Sequence, residues 1–206
     1  ELNIEEDTSM LLIKLNNKNR LAGSIFSEVT KSKYNNTPDI DSVDDFRNMF
    51  LLIQEMITSK DILAIHDISD GGLITTLLEM CFTKKIGMNL NLSGIDRVIE
   101  NLFSEESGFV VQVKQKDAAK IITTFTEKGL AVKEIGHLTN DIFSISKDDK
   151  ELFSKSIIEL EKIWRETSHA IQSLRDNKEI ANSELSLLDN NSFSGLSSNV
   201  NFDESQ

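Results

Sequence analysis

The chain has one proline, Pro38, and one cysteine, Cys81, among 206 residues, and it carries a single tryptophan and a single tyrosine. A lone cysteine excludes a disulfide framework and a thiolate metal cluster. Set inside the apolar run 73–82, it reads as a buried structural thiol. Basic residues are scarce as well: 22 Lys and Arg against 34 Asp and Glu leave a formal charge of −12. That balance argues against nucleic acid and against an anionic membrane surface as the principal partner. No apolar run approaches the roughly 20 residues a membrane helix needs, and no signal-like apolar segment opens the chain, so a cytosolic setting is expected. Against these shortages stands a hydrophobic content of 39%, enough at this length to bury the core of one domain, or of one domain plus an extension.

Chemistry concentrates in one stretch, Ile65-His66-Asp67-Ile68-Ser69-Asp70-Gly71-Gly72-Leu73. The apolar run Ile62 to Ile65 precedes it and the run Leu73 to Phe82 follows, so it reads as the turn from a buried strand into a buried helix. An imidazole, two carboxylates and a hydroxyl fall between positions 66 and 70. The glycine pair Gly71 and Gly72 lets backbone come close to a ligand, and N–H groups of the first helical turn point outward. Carboxylates beside such amides repel a bare phosphate, so the combination makes sense with a divalent cation such as Mg²⁺ between them. The alternative is structural: Ser69 or Asp70 caps the helix and the glycines only shape the turn.

Along the rest of the chain, strands alternate with helices, which predicts an α/β (α+β) domain with a mixed sheet packed by helices. Ser9 to Leu15 reads as a strand, Gly23 as a turn or a point of close backbone approach, and Tyr34 to Asp41 as loop. Ser42 caps a helix whose predicted core stripe is Val43, Phe46, Phe50, Ile53 and Ile57. Glu79, about 10 Å along the next helix, is structural unless a partner reaches it. A strand with Met88, Leu90 and Leu92 on its core face follows, then a short helix at Ile95 to Leu102. Glu105 and Glu106 precede the strand Phe109 to Val113 and read as solvated. Asp117 to Lys128 is amphipathic through Ala118, Ile121, Ile122 and Phe125. Strands near Ala131 to Ile135 and Ile142 to Ile145 flank His137, read as a structural histidine between them. From Phe153 to Leu174, apolar residues step by four and three along one long helix, expected to dock on the domain. The expected division is a linker end at 1–8, a domain at 9–150, a helical extension at 151–181 and a polar linker at 182–206.

The segment Ala64 to Leu73 resembles the His-Asp-x-Ser-Asp-Gly-Gly-Leu motif of the large, single-chain phosphoribosylformylglycinamidine synthases of purine biosynthesis. Leu21-Ala22-Gly23-Ser24 is similar to that family's Leu-Gly-Gly/Ala-Ser/Thr segment, and Phe103-Ser104-Glu105-Glu106-Ser107-Gly108 to its Phe-x-Glu-Glu-x-Gly loop. Trp164, Glu166-Thr167, Ile171-Gln172 and Leu174-Arg175-Asp176-Asn177 resemble its Trp-x-Glu-Thr and Met-Gln-x-Leu-Arg-Asp-Asn run. The likenesses run in order over roughly residues 8 to 180. Ala22, Ser107 and Lys178 depart from the pattern, where glycine, leucine and proline are usual.

The resemblance implies the second aminoimidazole-ribonucleotide-synthetase-like C-terminal domain of such an enzyme, followed by the linker toward a glutaminase domain. The whole enzyme is an ATP-dependent carbon–nitrogen ligase that amidates formylglycinamide ribonucleotide with glutamine as nitrogen source. By the same resemblance, Asp67 is a Mg²⁺ ligand and Ser69 contacts a retained, structural nucleotide, ATP or ADP, shared with an ATP-binding domain absent from this sequence. No catalytic residue is implied here, and the expected partners are the companion synthetase-like and glutaminase domains.

Overall fold

The computed structural model describes residues 1–4 and 7–190. The apolar run at the start becomes β1 (Thr8–Lys14), buried at all seven positions. Such a strand needs cover on both faces, and it lies inside a seven-stranded sheet of order β2-β4-β1-β5-β3-β6-β7. In chain order the elements are α1 (Ile25–Thr30), α2 (Val43–Thr58), β2 (Ile62–Asp67), α3 (Gly72–Phe82), β3 (Gly87–Asn91), α4 (Val98–Phe103), β4 (Gly108–Lys114), α5 (Ala118–Glu127), β5 (Ala131–Thr139), β6 (Ile142–Lys147) and β7 (Lys150–Ser156). All pairings are antiparallel except β3 with β6. The sheet is mixed, as the alternation of strands and helices predicts.

One core layer gathers Leu11 and Ile13 of β1, Val111 and Val113 of β4, the α2 residues Met49, Leu52, Ile53 and Met56, and Ile121 and Phe125 of α5. The opposite parity of the same strands, Met10, Leu12 and Val110, is buried too. Ser42 caps α2 as expected, its hydroxyl accepting from the Asp45 N–H at 3.2 Å. The helix is rotated from the predicted stripe, however: Val43, Phe50 and Ile57 face outward while Met49, Leu52 and Met56 face in. Apolar residues lie on more than one side of α2, so periodicity identified the helix without fixing which side the sheet takes.

Other boundaries also move. His137 lies within β5, opposite Asn89 of β3, rather than between strands. Lys150 to Ser156 form the edge strand β7, so Phe153 belongs to a hairpin and not to the long helix. The short helix before the acidic loop begins at Val98, and Gly23 is a left-handed turn residue whose Cβ would meet only Thr37 Cγ2, at 3.7 Å. At the N-terminus, Leu2 is buried and the Asn3 N–H donates to Gln112 Oε1 at 2.7 Å, so part of the expected linker end is tied to the domain.

The chain divides into two units, Glu1–Ile157 and Ile158–Gln206. In the second, α6 (Ile157–Arg175) and α7 (Lys178–Ser186) pair through His169 with Asn182 at 3.1 Å and the Gln172 amide donating to Glu184 at 2.7 Å. Asn177 caps α7, so the start of the expected linker is helical. Its remainder at 191–206, like positions 5 and 6, lies outside the described residues.

Candidate functional site

β1 and β2 end where β4, antiparallel to both, begins. Three loops therefore meet at one end of the sheet: residues 15–24, 68–71 and 104–107. Each carries a segment singled out from the sequence. The Leu15 N–H donates to the Ser107 carbonyl at 3.1 Å, and the Ile68 N–H to the Gly108 carbonyl at 2.9 Å. Phe26 of α1 stacks on Phe103, ring centroids 4.7 Å apart.

Asp67 is the last residue of β2, an edge strand, and its side chain is 67% exposed. Ser69 and Asp70 are exposed as well. The residue capping α3 is Gly71, with no side-chain cap, so neither Ser69 nor Asp70 serves as the helix cap. His66 sits between two carboxylates, Nε2 being 3.3 Å from Glu79 and Nδ1 3.6 Å from Asp67. Glu79 thus has a partner that its position along the helix did not reveal.

The glycine pair serves the chain's own packing. Both residues have positive φ, 83° at Gly71 and 73° at Gly72. A Cβ on Gly72 would lie 2.7 Å from the Phe103 carbonyl carbon and 2.8 and 2.9 Å from the carbonyl oxygens of Ser104 and Leu102. The Gly71 N–H donates to Glu105 Oε1 at 2.9 Å and the Gly72 N–H to the Ser69 carbonyl at 3.0 Å. Of the first-turn N–H groups expected to point outward, that of Gly72 is engaged within the chain, as is the Gly71 N–H just before the helix. Gly72→Ala is expected to lower stability by about 2–3 kcal/mol, combining left-handed strain with overlap against backbone that has little room to yield. Thermal denaturation checks it, and an unchanged melting temperature would show that the 102–104 backbone gives way freely.

The acidic loop is likewise not solvated. Glu106 is fully buried and receives the Arg20 guanidinium, Nε to Oε1 at 2.7 Å and Nη2 to Oε2 at 2.8 Å, with the Arg20 N–H at 3.0 Å. Burial alone pushes its carboxyl upward, and the Arg20 bonds outweigh that and hold it below the usual carboxylate range. Arg20 continues to Asp41 at 3.0 Å, which Lys18 also binds at 2.8 Å. Buried Lys14 bonds to Asn19, and burial pushes its ammonium down to about 8 against the pull of Glu106. Glu105 is half-buried and turns the other way, to Gly71 and to the Ile25 N–H, both at 2.9 Å. Just before them in the chain, the Ser104 hydroxyl is buried without a hydrogen-bond partner among the described residues. Arg20 was invisible to sequence reasoning because its role depends on β1 and β4 lying side by side.

Among the described residues no three His, Cys, Asp or Glu side chains converge in a way that would hold a metal ion. The exposed Asp67 carboxylate suits one oxygen ligand of a hard cation, the remaining ligands coming from elsewhere.

Residues 9–146 match the family described as AIR synthase related protein, C-terminal domain. Over 203 residues, 95% of the chain, the sequence is 37% identical to a phosphoribosylformylglycinamidine synthase of Schizosaccharomyces pombe, of which it spans 15%. Among solved structures, PurLQS from Thermotoga maritima superposes with a TM-score of 0.60 at 12% identity, over 76% of this chain and 26% of that one. T. maritima PurL complexed with FGAR gives 0.60 at 12% identity over 76% and 28%. The HypE–HypF complex gives 0.51 at 16% identity over 75% and 53%. At these identities the structural likeness shows the fold alone.

Proposed function

The chain belongs to the AIR synthase related family, as its C-terminal domain, and from that premise we propose that it is one domain of a phosphoribosylformylglycinamidine synthase that helps to hold a Mg–nucleotide. The observation that carries the reading is the edge of the turn: Asp67, Ser69 and Asp70 are exposed together, and neither Ser69 nor Asp70 caps the helix behind them. Bound there, Mg²⁺ would supply charge neutralisation for the phosphates of ATP or ADP. Asp67 would hold the cation through its carboxylate oxygens, and the Ser69 hydroxyl would hydrogen-bond the nucleotide. Gly71 and Gly72 would act by shaping the turn. The site serves retention rather than turnover, and the domain lends no catalytic residue to the amidation of formylglycinamide ribonucleotide with glutamine and ATP.

Companion domains of the same enzyme would complete the site, one supplying the remaining ligands and another, a glutaminase, the nitrogen. The outward apolar side chains Val43, Phe50, Leu51 and Ile57 of α2 support a packing partner of that kind. Titration with Mg–ADP tests the reading. The isolated chain is expected to fold, to bind weakly and to form no product from glutamine, while the chain assembled with its companion domains binds tightly. No binding by either would defeat the proposal, and glutamine-dependent product from this chain alone would refute the division of labour.

A further inference from the structure

Glu105 and Glu106 are adjacent, yet their side chains serve opposite purposes. Burial alternates along the loop, Ser104 and Glu106 being buried and Glu105 and Ser107 half-buried, so the two glutamates take different surroundings. Glu106 is neutralised by a guanidinium and sealed from solvent. Glu105 binds backbone: its Oε1 accepts both from the Gly71 N–H, at the start of α3, and from the Ile25 N–H, at the start of α1, each at 2.9 Å. One oxygen atom thus joins the loop after β1, the turn after β2 and the loop before β4. A carboxylate at two helix beginnings is favoured by their exposed N–H groups and by the helix dipoles.

The turn has few other ties. Gly72 is held through the Ser69 carbonyl, and Thr76 reaches back to the Asp67 carbonyl at 3.2 Å, but these are contacts of the turn with its own helix and strand. From Asp67 to Gly72, the bond to Glu105 is, among the described residues, the side-chain hydrogen bond that reaches another loop, beside the backbone bond from Ile68 to Gly108. We infer that Glu105 is a positioning residue: it sets the orientation of Asp67 and Ser69 by bracing Gly71 against the start of α1, so that segment 21–30 and the turn move as one body. The role rests on the reading of Asp67 and Ser69 given above, although its backbone consequence does not.

Two variants separate the brace from mere burial of a side chain. Glu105→Gln keeps an oxygen acceptor in the same place, whereas Glu105→Ala removes it. Amide hydrogen exchange followed by NMR on the folded chain is the first readout. Glu105→Ala is expected to speed exchange at Gly71 and Ile25 together, each about tenfold or more, as for lost bonds to a charged acceptor, and to shift the Asp67 and Ser69 amide resonances. Glu105→Gln should return both amides most of the way. Release of one amide without the other, or unmoved Asp67 and Ser69 resonances, overturns the inference. The second readout is the affinity of the assembled enzyme for Mg–ADP, expected to fall about tenfold or more in Glu105→Ala and to recover in Glu105→Gln. Equal affinity in Glu105→Ala and the unmodified protein overturns the positioning role. If the unmodified protein ignores Mg–ADP, the nucleotide proposal fails by itself, and hydrogen exchange still decides the brace.

Discussion

Arg20→Ala is expected to be the most damaging single substitution for stability, at about 3–5 kcal/mol near neutral pH. It strips the guanidinium from a carboxylate with no exposure of its own, and a buried charge left without its partner costs that much. In this size range the loss corresponds to roughly 10 °C in melting temperature. The pH dependence identifies the cause. In the native protein Glu106 titrates below its unfolded value, so its contribution is present in full above the unfolded pKa of about 4.3 and is lost as pH falls through the folded pKa. In Arg20→Ala the same carboxyl keeps its burial without its cation, and its folded pKa rises above the unfolded one. Acidification then protonates the folded state first, and the difference between variant and native protein narrows as pH falls toward the unfolded pKa. Denaturant melts at pH 7 and pH 5 measure both. A deficit that stays constant with pH would assign the loss to packing of the arginine stem rather than to the charge on Glu106.

Asp67→Asn is expected to act in the opposite register, leaving the bare fold alone and removing a ligand. The side chain is 67% exposed and its carboxylate lies 3.6 Å from His66 Nδ1, so the ligand-free chain should change in stability by no more than about 0.5 kcal/mol. Asparagine keeps the shape and one acceptor oxygen but loses the charge that holds Mg²⁺ beside phosphate. In the assembled synthase, a nucleotide held at 100 to 1,000 times its dissociation constant contributes about 3–4 kcal/mol, and the variant should forfeit most of that together with its co-purified nucleotide. Turnover by the surviving folded fraction should change far less. The reverse pattern, with full nucleotide content but turnover reduced about a thousandfold, roughly 4 kcal/mol of transition-state stabilisation, would place Asp67 at the reacting centre.

The two substitutions lie at the same end of the sheet, Arg20 in the loop after β1 and Asp67 at the close of β2, and the sequence disclosed them unequally. Asp67 stands in a recognisable turn between an apolar strand and an apolar helix, where local pattern and local chemistry coincide. Arg20 lies in the polar segment 16–20, and its value comes from Glu106, 86 positions away, brought close only by antiparallel pairing of β1 with β4. The acidic pair was misread for the same reason: adjacent glutamates look solvated until the strand order shows that they point into two different loop contacts. The glycines illustrate a subtler limit. Their presence correctly marks a turn, but not what approaches it, and at Gly72 that is the 102–104 backbone.

For the fold, β1 was legible because burial on both faces demands an unbroken apolar run, and α5 because Ala118, Ile121 and Phe125 share one face and only that face is buried. α2 shows what periodicity leaves open. Its apolar residues extend around the helix, and the sheet took the side bearing Met49 and Met56. β7 was hidden by its composition, since Lys150, Glu151 and Lys155 suit an exposed edge strand and carry no alternation of the half-buried kind.

The central claim is that this domain contributes a metal-dependent nucleotide contact through Asp67. Calorimetric titration of the assembled enzyme with ADP, with Mg²⁺ and then with the metal chelated, tests it most directly when run on the native protein and on Asp67→Asn side by side. Once co-purified nucleotide has been stripped, the expected result is a saturable retention site in the native protein, beside that of the turning-over nucleotide, which weakens by about tenfold or more on chelation, and an Asp67→Asn protein whose retention site starts at the weakened affinity and responds little to the metal. Identical affinities for the two proteins, each equally sensitive to Mg²⁺, would contradict the claim and return the turn to a purely structural role.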